Sequence, residues 1–267
     1  MKIPINWDKE GIEMPLKNRN WKKIISVSVL ISFIAPILYL VFRIATTTND
    51  ILPNSGEMRV RSDYVLMLVQ CLLGIIAMAI PSFLSRKFKW EIPNVMYYFY
   101  VFFLYAAIFL GEIQNFYYRF KYWDLILHTL SGTMIGFLGF SVIDMLNREN
   151  ENVNLNAFFV AFFAFCFAMT LGGIWEVYEF ASDGILGTNM QKYALESGIE
   201  LQGRDAISDT MEDIIVDSVG ALVASTIGYI SIKYKFTFLN KIKIKIGKNQ
   251  PTKEKMIGGT DETAHLK

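Results

Sequence analysis

The sequence predicts an all-α protein: a polytopic membrane helix bundle of about six transmembrane helices, with both termini cytoplasmic. Three observations predict it. The chain of 267 residues is 53% hydrophobic, more apolar than a water-soluble domain of that length usually is. Its apolar residues gather into six runs, approximately 24–45, 64–84, 93–111, 125–146, 155–176 and 212–232, each near the ~20 residues that cross a bilayer as a helix. Its basic residues are lopsided. Segments 1–23, 85–92, 147–154 and 233–267 carry nineteen Lys and Arg, whereas 46–63, 112–124 and 177–211 carry six, and cytoplasmic segments are the ones enriched in these residues.

Taken in order, residues 1–23 form a cytoplasmic segment ending in Lys17, Arg19, Lys22 and Lys23 around Trp21, a basic collar with an interfacial aromatic. The first apolar run is too long, and begins too late, for a cleavable signal peptide, so it reads as a retained span. The third run is crowded with aromatics from Tyr97 to Tyr105 and has the least defined ends. Runs four and six carry small residues at helical packing distance, Gly132 with Gly136 and Gly220 with Ala224 and Gly228, a spacing that lets helix backbones approach closely in lipid. Residues 24–232 are thus one transmembrane domain, with a long outer loop at 177–211. Its stretch from Gly184 to Ser208 has no periodicity and reads as a lid or surface loop.

Residues 233–267 read as a basic, partly disordered cytoplasmic tail. Lys and Ile alternate from Lys241 to Lys248, which suits anionic headgroups or simply obeys the inside rule. Cys71 and Cys166 both lie in apolar runs, leaving no disulfide framework and no cysteine metal signature. The basic residues sit on the membrane collar and not on an aromatic-interleaved patch, which leaves a nucleic-acid partner unsupported.

The polar residues in the spans carry the functional argument. Asp209, Asp213 and Asp217 stand four residues apart, on one helix face, at the start of run six. Asp124 and His128 are i, i+4 at the start of run four, which sets His128 about 6 Å below the surface. Glu176 and Glu179 are i, i+3 at the end of run five, with Asp183 following, and Glu112 ends run three. All fall at one level, that of the outer leaflet, while Asp144 stands nearly alone at the inner level. Buried carboxylates beside an imidazole become tolerable by binding a divalent cation, holding protons, or pairing with an arginine.

Plainer roles stay open for each. Asp124 and Asp209 could be helix N-caps, Glu212 a charge answering the helix dipole, His128 a histidine bonded to a neighbouring helix, and Glu176 and Glu179 acids facing water. Asp213 and Asp217 lie too far inside the helix for capping. Ser131 stands i, i+3 from His128 on one helix, a poor attack geometry, and no nucleophile elbow accompanies it.

Three motifs in order, Trp123-Asp124 to Gly132, Gly173-Ile-Trp-Glu176-Val-Tyr-Glu179, and Leu201-Gln-Gly203 through Asp209, Asp213 and Asp217 to Gly220, resemble the YjdF-like family of bacterial inner-membrane proteins. The resemblance covers roughly residues 64–232. It implies a multi-helix integral membrane protein with these polar positions and no established reaction.

The leading expectation is an outer-leaflet metal site acting as a hydrolase or transferase on a lipid or lipid-linked envelope precursor. His128, Glu176, Glu179 and Asp213 would be ligands to Zn, Mn, Fe or Mg. Asp124 would orient the imidazole. Asp217 would stand in or beside the ligand set, and Asp209 or Glu179 would act as general base. A proton- or cation-coupled transporter and a non-catalytic scaffold are the alternatives. No acid near mid-span and no inverted repeat favours the transporter.

Overall fold

The computed structural model describes residues 17–47, 59–149, 155–195, 198–236, 239 and 242–246. The expected N-terminal segment up to residue 16, and the tail from residue 247, lie outside the described residues. Among the described residues, six helices are long and apolar enough to cross a membrane, Trp21–Thr46, Arg61–Phe88, Asn94–Ile113, Trp123–Asn147, Ala157–Leu186 and Asp205–Lys233. The protein is a multi-pass, all-α membrane protein. An even number of crossings brings residues 17 and 233 to the same end of the bundle.

The first span is broken into α1 (Lys17–Ile34) and α2 (Ile37–Thr46). Pro36 has no N–H to continue the ladder, and the chain bends there. Helix α3 (Arg61–Phe88) carries Pro81 without ending. A proline at 81 cannot donate to the carbonyl of residue 77, and in lipid an orphaned carbonyl is costly. The Tyr100 hydroxyl donates to that Ala77 oxygen at 2.8 Å, from helix α4 (Asn94–Leu104). The third span then continues as a π-helical segment, Tyr105–Ile113, and turns through α5 (Phe116–Arg119). Gly111 is needed in that turn, because a Cβ there would run into the Tyr117 ring.

Helices α6 (Trp123–Glu149), α7 (Ala157–Leu186) and α8 (Ser208–Lys233) form the second half of the bundle. A Cβ at Gly132 of α6 would strike the Asp217 carbonyl oxygen, and one at Gly220 of α8 would strike that of Thr129. One at Gly136 would come within 2.9 Å of Ala224 Cβ. Backbone therefore touches backbone along α6 and α8. Helix α7 is capped by the Asn156 side chain, which accepts from Phe159 N at 2.9 Å. It ends at Gly187, whose φ of 64° is the left-handed closure glycine favours.

The apolar run in α7 stops near residue 176, but the helix continues to Leu186. Its last turns bury Glu176, Glu179, Ser182 and Asp183 on one face while Val177, Phe180 and Ile185 face outward. Burial on one side, not uniform apolarity, carries the helix past its acids.

The two halves have separate cores. Phe33, Leu40, Tyr64, Cys71, Val101 and Ile108 pack together in the first. Phe140, Val160, Ala164 and Leu239 pack at the far end of the second. At that far end the described part of the tail folds back onto the protein. Lys243 pairs with Asp144 at 3.2 Å, Ile244 is buried, and strand β2 (Lys245–Ile246) pairs antiparallel with β1 (Trp90–Glu91). The sequence leaves the alternating lysines either on anionic headgroups or simply obeying the inside rule. Lys243 instead answers a buried carboxylate, while Lys241 and Lys248 lie outside the described residues.

Candidate functional site

The acids of α6, α7 and α8 meet at the end of the bundle opposite Asp144. His128 is 7% exposed. Its Nδ1 lies 3.3 Å from Asp217 Oδ2, and the other oxygen of Asp217 lies 2.8 Å from Ser131 Oγ. The Ser131 hydroxyl is equally near the His128 carbonyl oxygen, and of the two acceptors the carboxylate is the stronger. Gly172 of α7 makes room for this carboxylate, since a Cβ there would sit 2.7 Å from Asp217 Oδ2.

The other imidazole nitrogen, Nε2, faces Asp124 Oδ1 at 3.7 Å and Asp213 Oδ2 at 3.8 Å. With Nδ1–H donating to Asp217, Nε2 faces two carboxylates either as the second N–H of an imidazolium or as a lone pair that needs a cation between them. Asp213 is 1% exposed, and neither of its oxygens has a hydrogen-bond partner. The donor atoms of Asp124, His128 and Asp213 all lie within 4.8 Å of one another. Divalent ions hold such donors at about 2.0–2.2 Å, so modest side-chain rotations would close the group on one ion.

Of the expected ligands, His128 and Asp213 are in that group, while Glu176 and Glu179 are outside it. Glu179 accepts from Trp175 Nε1 at 2.8 Å, so Trp175 holds an acid. Both oxygens of the buried Glu176 are without a hydrogen-bond partner, although Thr210 stands beside it. Asp217, rather than Asp124, meets Nδ1, and Asp124 faces Nε2. Asp209 is in the first turn of α8 and does not cap it.

Asp209 instead accepts from Lys192 Nζ at 2.9 Å, and the same ammonium contacts Asp124 Oδ2. Burial works against that ammonium, but the Asp124 and Asp209 carboxylates outweigh it and hold its pKa above the ordinary lysine range. The segment that delivers Lys192 is tethered and not a loose lid. Asp183 accepts from Thr188 Oγ1 at 2.6 Å, Met190 N at 2.7 Å and Gln191 N at 3.0 Å. Lys192 itself has φ 47°, an uncommon conformation for a residue with a Cβ. The sequence contains Lys192 among its outer-level cations but has no pattern that singles it out. The available signal is charge accounting: Lys192 and Arg204 are the basic residues of the long connection between the two acid-bearing helices α7 and α8.

Six carboxylates, Asp124, Asp209, Asp213, Asp217, Glu176 and Glu179, therefore gather around Lys192 and His128. Two cations, even with His128 protonated, cannot answer six ionised carboxylates, so the others hold protons or share a further cation. Glu112 stands on the neighbouring cavity wall, its backbone carbonyl accepting from Arg59 Nη2 at 3.2 Å. Burial pushes the Tyr117 phenol well above its usual pKa, and the Asp124 and Glu112 carboxylates add to it, so this hydroxyl remains a donor beside the cluster.

The model of the family described as "Predicted membrane protein (DUF2238)" matches residues 25–234. The chain belongs to this family. The match takes in the last five spans of the DUF2238 protein whole, the first from residue 25 on, and every residue of the polar cluster. An "Uncharacterized protein" of Thermotoga maritima is 29% identical over 120 residues, 45% of this chain. The match spans 54%, about half, of that relative's own length. No solved structure matches the chain.

Proposed function

We propose that this DUF2238 protein is a membrane-embedded, divalent-metal-dependent hydrolase or transferase. Its site lies at the outer leaflet and its substrate is a lipid or lipid-linked ester. The observation that carries the reading is Asp213, a buried carboxylate with no hydrogen bond at either oxygen, facing the Nε2 side of an imidazole whose other nitrogen is already engaged. Asp124, His128 and Asp213 would hold the ion. Asp217, fixed by Ser131, keeps the imidazole in the tautomer that presents Nε2. One nitrogen with two carboxylates suits Zn, Mn or Fe, and with water also Mg. Such an ion acidifies a bound water and polarises an ester or phosphoester oxygen. Glu179, on the cavity wall, is then the candidate for general base, since Asp209 is held by Lys192. Within the family, the three motifs support likeness to the YjdF-like proteins. The Lys and Arg distribution supports the cytoplasmic placing of both termini.

The test is the melting temperature of detergent-purified protein with Zn, Mn or Mg and after chelation, beside metal analysis. The expected outcome is co-purified metal and a chelation-sensitive melting temperature, both lost in Asp213→Asn. Protein that carries no metal, and melts identically with every ion and with chelator, overturns the reading.

A second reading has one observation in its favour. Lys192 already clasps Asp124 and Asp209, as a non-catalytic polar lock between the loop and the helices would. The two readings part on the behaviour of Lys192 variants, treated at the residue scale below.

A further inference from the structure

Between the two halves of the bundle lies a cavity of about 620 Å³, the size of a small-molecule site. Its wall on α3 is one helix face. Asp63, Leu66, Met67, Gln70, Gly74 and Ala77 line it at helical spacing. From Asp63 to Ala77 the cavity follows α3 for about 21 Å, long enough to reach from the polar cluster well into the bundle. The deep part is apolar: Ala107 and Ile108 of the π-helical segment oppose Met134 and Ile135 of α6. The mouth is acidic. Asp63, Glu112, Asp124, Glu179, Glu200 and Asp217 line the cavity, with Arg59, His128 and Lys192 as its basic residues.

Both long cations are already occupied. Lys192 is held by Asp124 and Asp209, and Arg59 donates to the backbone carbonyls of Glu112 and Ile113. The mouth also presents the rings of Tyr117, Tyr118 and Trp175, and aromatic faces attract ammonium groups. An anionic head would meet carboxylates with few uncommitted donors. An ammonium head meets carboxylates and aromatic faces together.

We infer that this cavity binds a cationic amphiphile, one aliphatic chain in the apolar shaft between α3 and α6 and its ammonium head at the Glu112–Glu179 mouth. This goes beyond the metal reading and does not depend on it. Asp124 and His128 of the proposed ion site share the cavity wall, whereas Asp213 does not line it, so Asp213 is the position at which the two proposals separate.

The test is isothermal titration of the full chain in a non-ionic detergent with sub-micellar decyltrimethylammonium. Octyltrimethylammonium, tetramethylammonium and decyl phosphate are the comparison probes. The decyl cation is expected to bind. Affinity should fall about three- to fourfold per methylene removed from the buried chain, and tetramethylammonium and decyl phosphate should bind far more weakly. Glu112→Gln or Glu179→Gln should each weaken the decyl cation about tenfold, and Ala107→Phe, which fills the shaft, should abolish binding. Ala77→Phe fills the same shaft from α3, should Ala107→Phe fail to fold. Equal binding of decyl phosphate, loss of chain-length dependence, or unchanged binding in a folded shaft-filling variant would overturn the inference. Asp213→Asn should keep the amphiphile while losing the ion response, so the two proposals fail separately.

Discussion

His128 shows how much one residue's surroundings decide. Its two nitrogens face different chemistry, Asp217 on one side and the Asp124–Asp213 pair on the other. Gly172 is the silent partner, since its missing side chain is the space Asp217 fills. Gly172→Ala should leave the fold intact, because the clashing atom ends a side chain that can swing. It should, however, turn the Asp217 carboxylate from the imidazole and lower ion affinity about 10–100-fold, the usual cost of losing a partner behind a ligand. Calorimetric titration with Zn or Mn checks this; unchanged affinity would show that Asp217 does not set the imidazole. Lys192 separates the two readings of the cluster. Lys192→Met leaves Asp124 and Asp209 without their cation, and should lower stability by about 1–3 kcal/mol in the absence of ions. If the cluster binds metal, added Mn or Zn restores the loss, since the competing ammonium has gone. A loss that no divalent ion restores marks Lys192 as a lock and nothing more.

At the scale of elements, the second half of the bundle rests on α6 and α8 lying backbone to backbone. Lipid offers helices little hydrophobic reason to associate, so close van der Waals contact must provide it. Gly220→Val should therefore be among the more damaging apolar substitutions. Its side chain meets the Thr129 carbonyl and the Thr133 backbone N at 2.9 Å, and neither can rotate away. A loss of at least about 1–3 kcal/mol is expected, read as a lower melting temperature in detergent. Val219→Ala, on the lipid-facing side of the same turn, should be close to neutral. If both variants melt alike, the glycine row is not the contact that holds the helices. The spacing of Gly132, Gly136, Gly220, Ala224 and Gly228 was legible in the sequence, because a four-residue period of small side chains is itself the signature of close packing. The last turns of α7 were not. Acids read as the end of a span when hydropathy is averaged around the helix, yet here they occupy one buried face of it. The Pro81–Tyr100 pairing was equally hidden, since only the third span's position brings a hydroxyl to the carbonyl that proline orphans.

For the whole molecule, the arrangement is two helix groups with a shaft between them and a polar cluster at one end. The proposed orientation, which the Lys and Arg distribution supports, has that end outside. Single cysteines, introduced at the exposed Ile199 in the α7–α8 connection and at Arg86 at the end of α3 in a chain lacking Cys71 and Cys166, test this in intact cells. A membrane-impermeant maleimide should label the connection from outside and reach position 86 only after lysis. The reverse pattern would invert the topology and put the cluster on the cytoplasmic side.

What the sequence by itself determined is what depends on composition along the chain: six crossings, their approximate limits, the close-packing glycines, and the common depth of the acids. Depth is a one-dimensional quantity, because 1.5 Å of rise per residue converts chain position into distance below the surface. Only the tertiary structure decided which acids share a point in space. It brought Asp124, His128 and Asp213 within one another's reach, turned Asp217 to the far nitrogen, moved Glu179 to the cavity wall and carried Lys192 in from a loop. Those choices depend on how each helix is rotated about its axis and where a connection folds back, and neither is written in the order of residues along a single span.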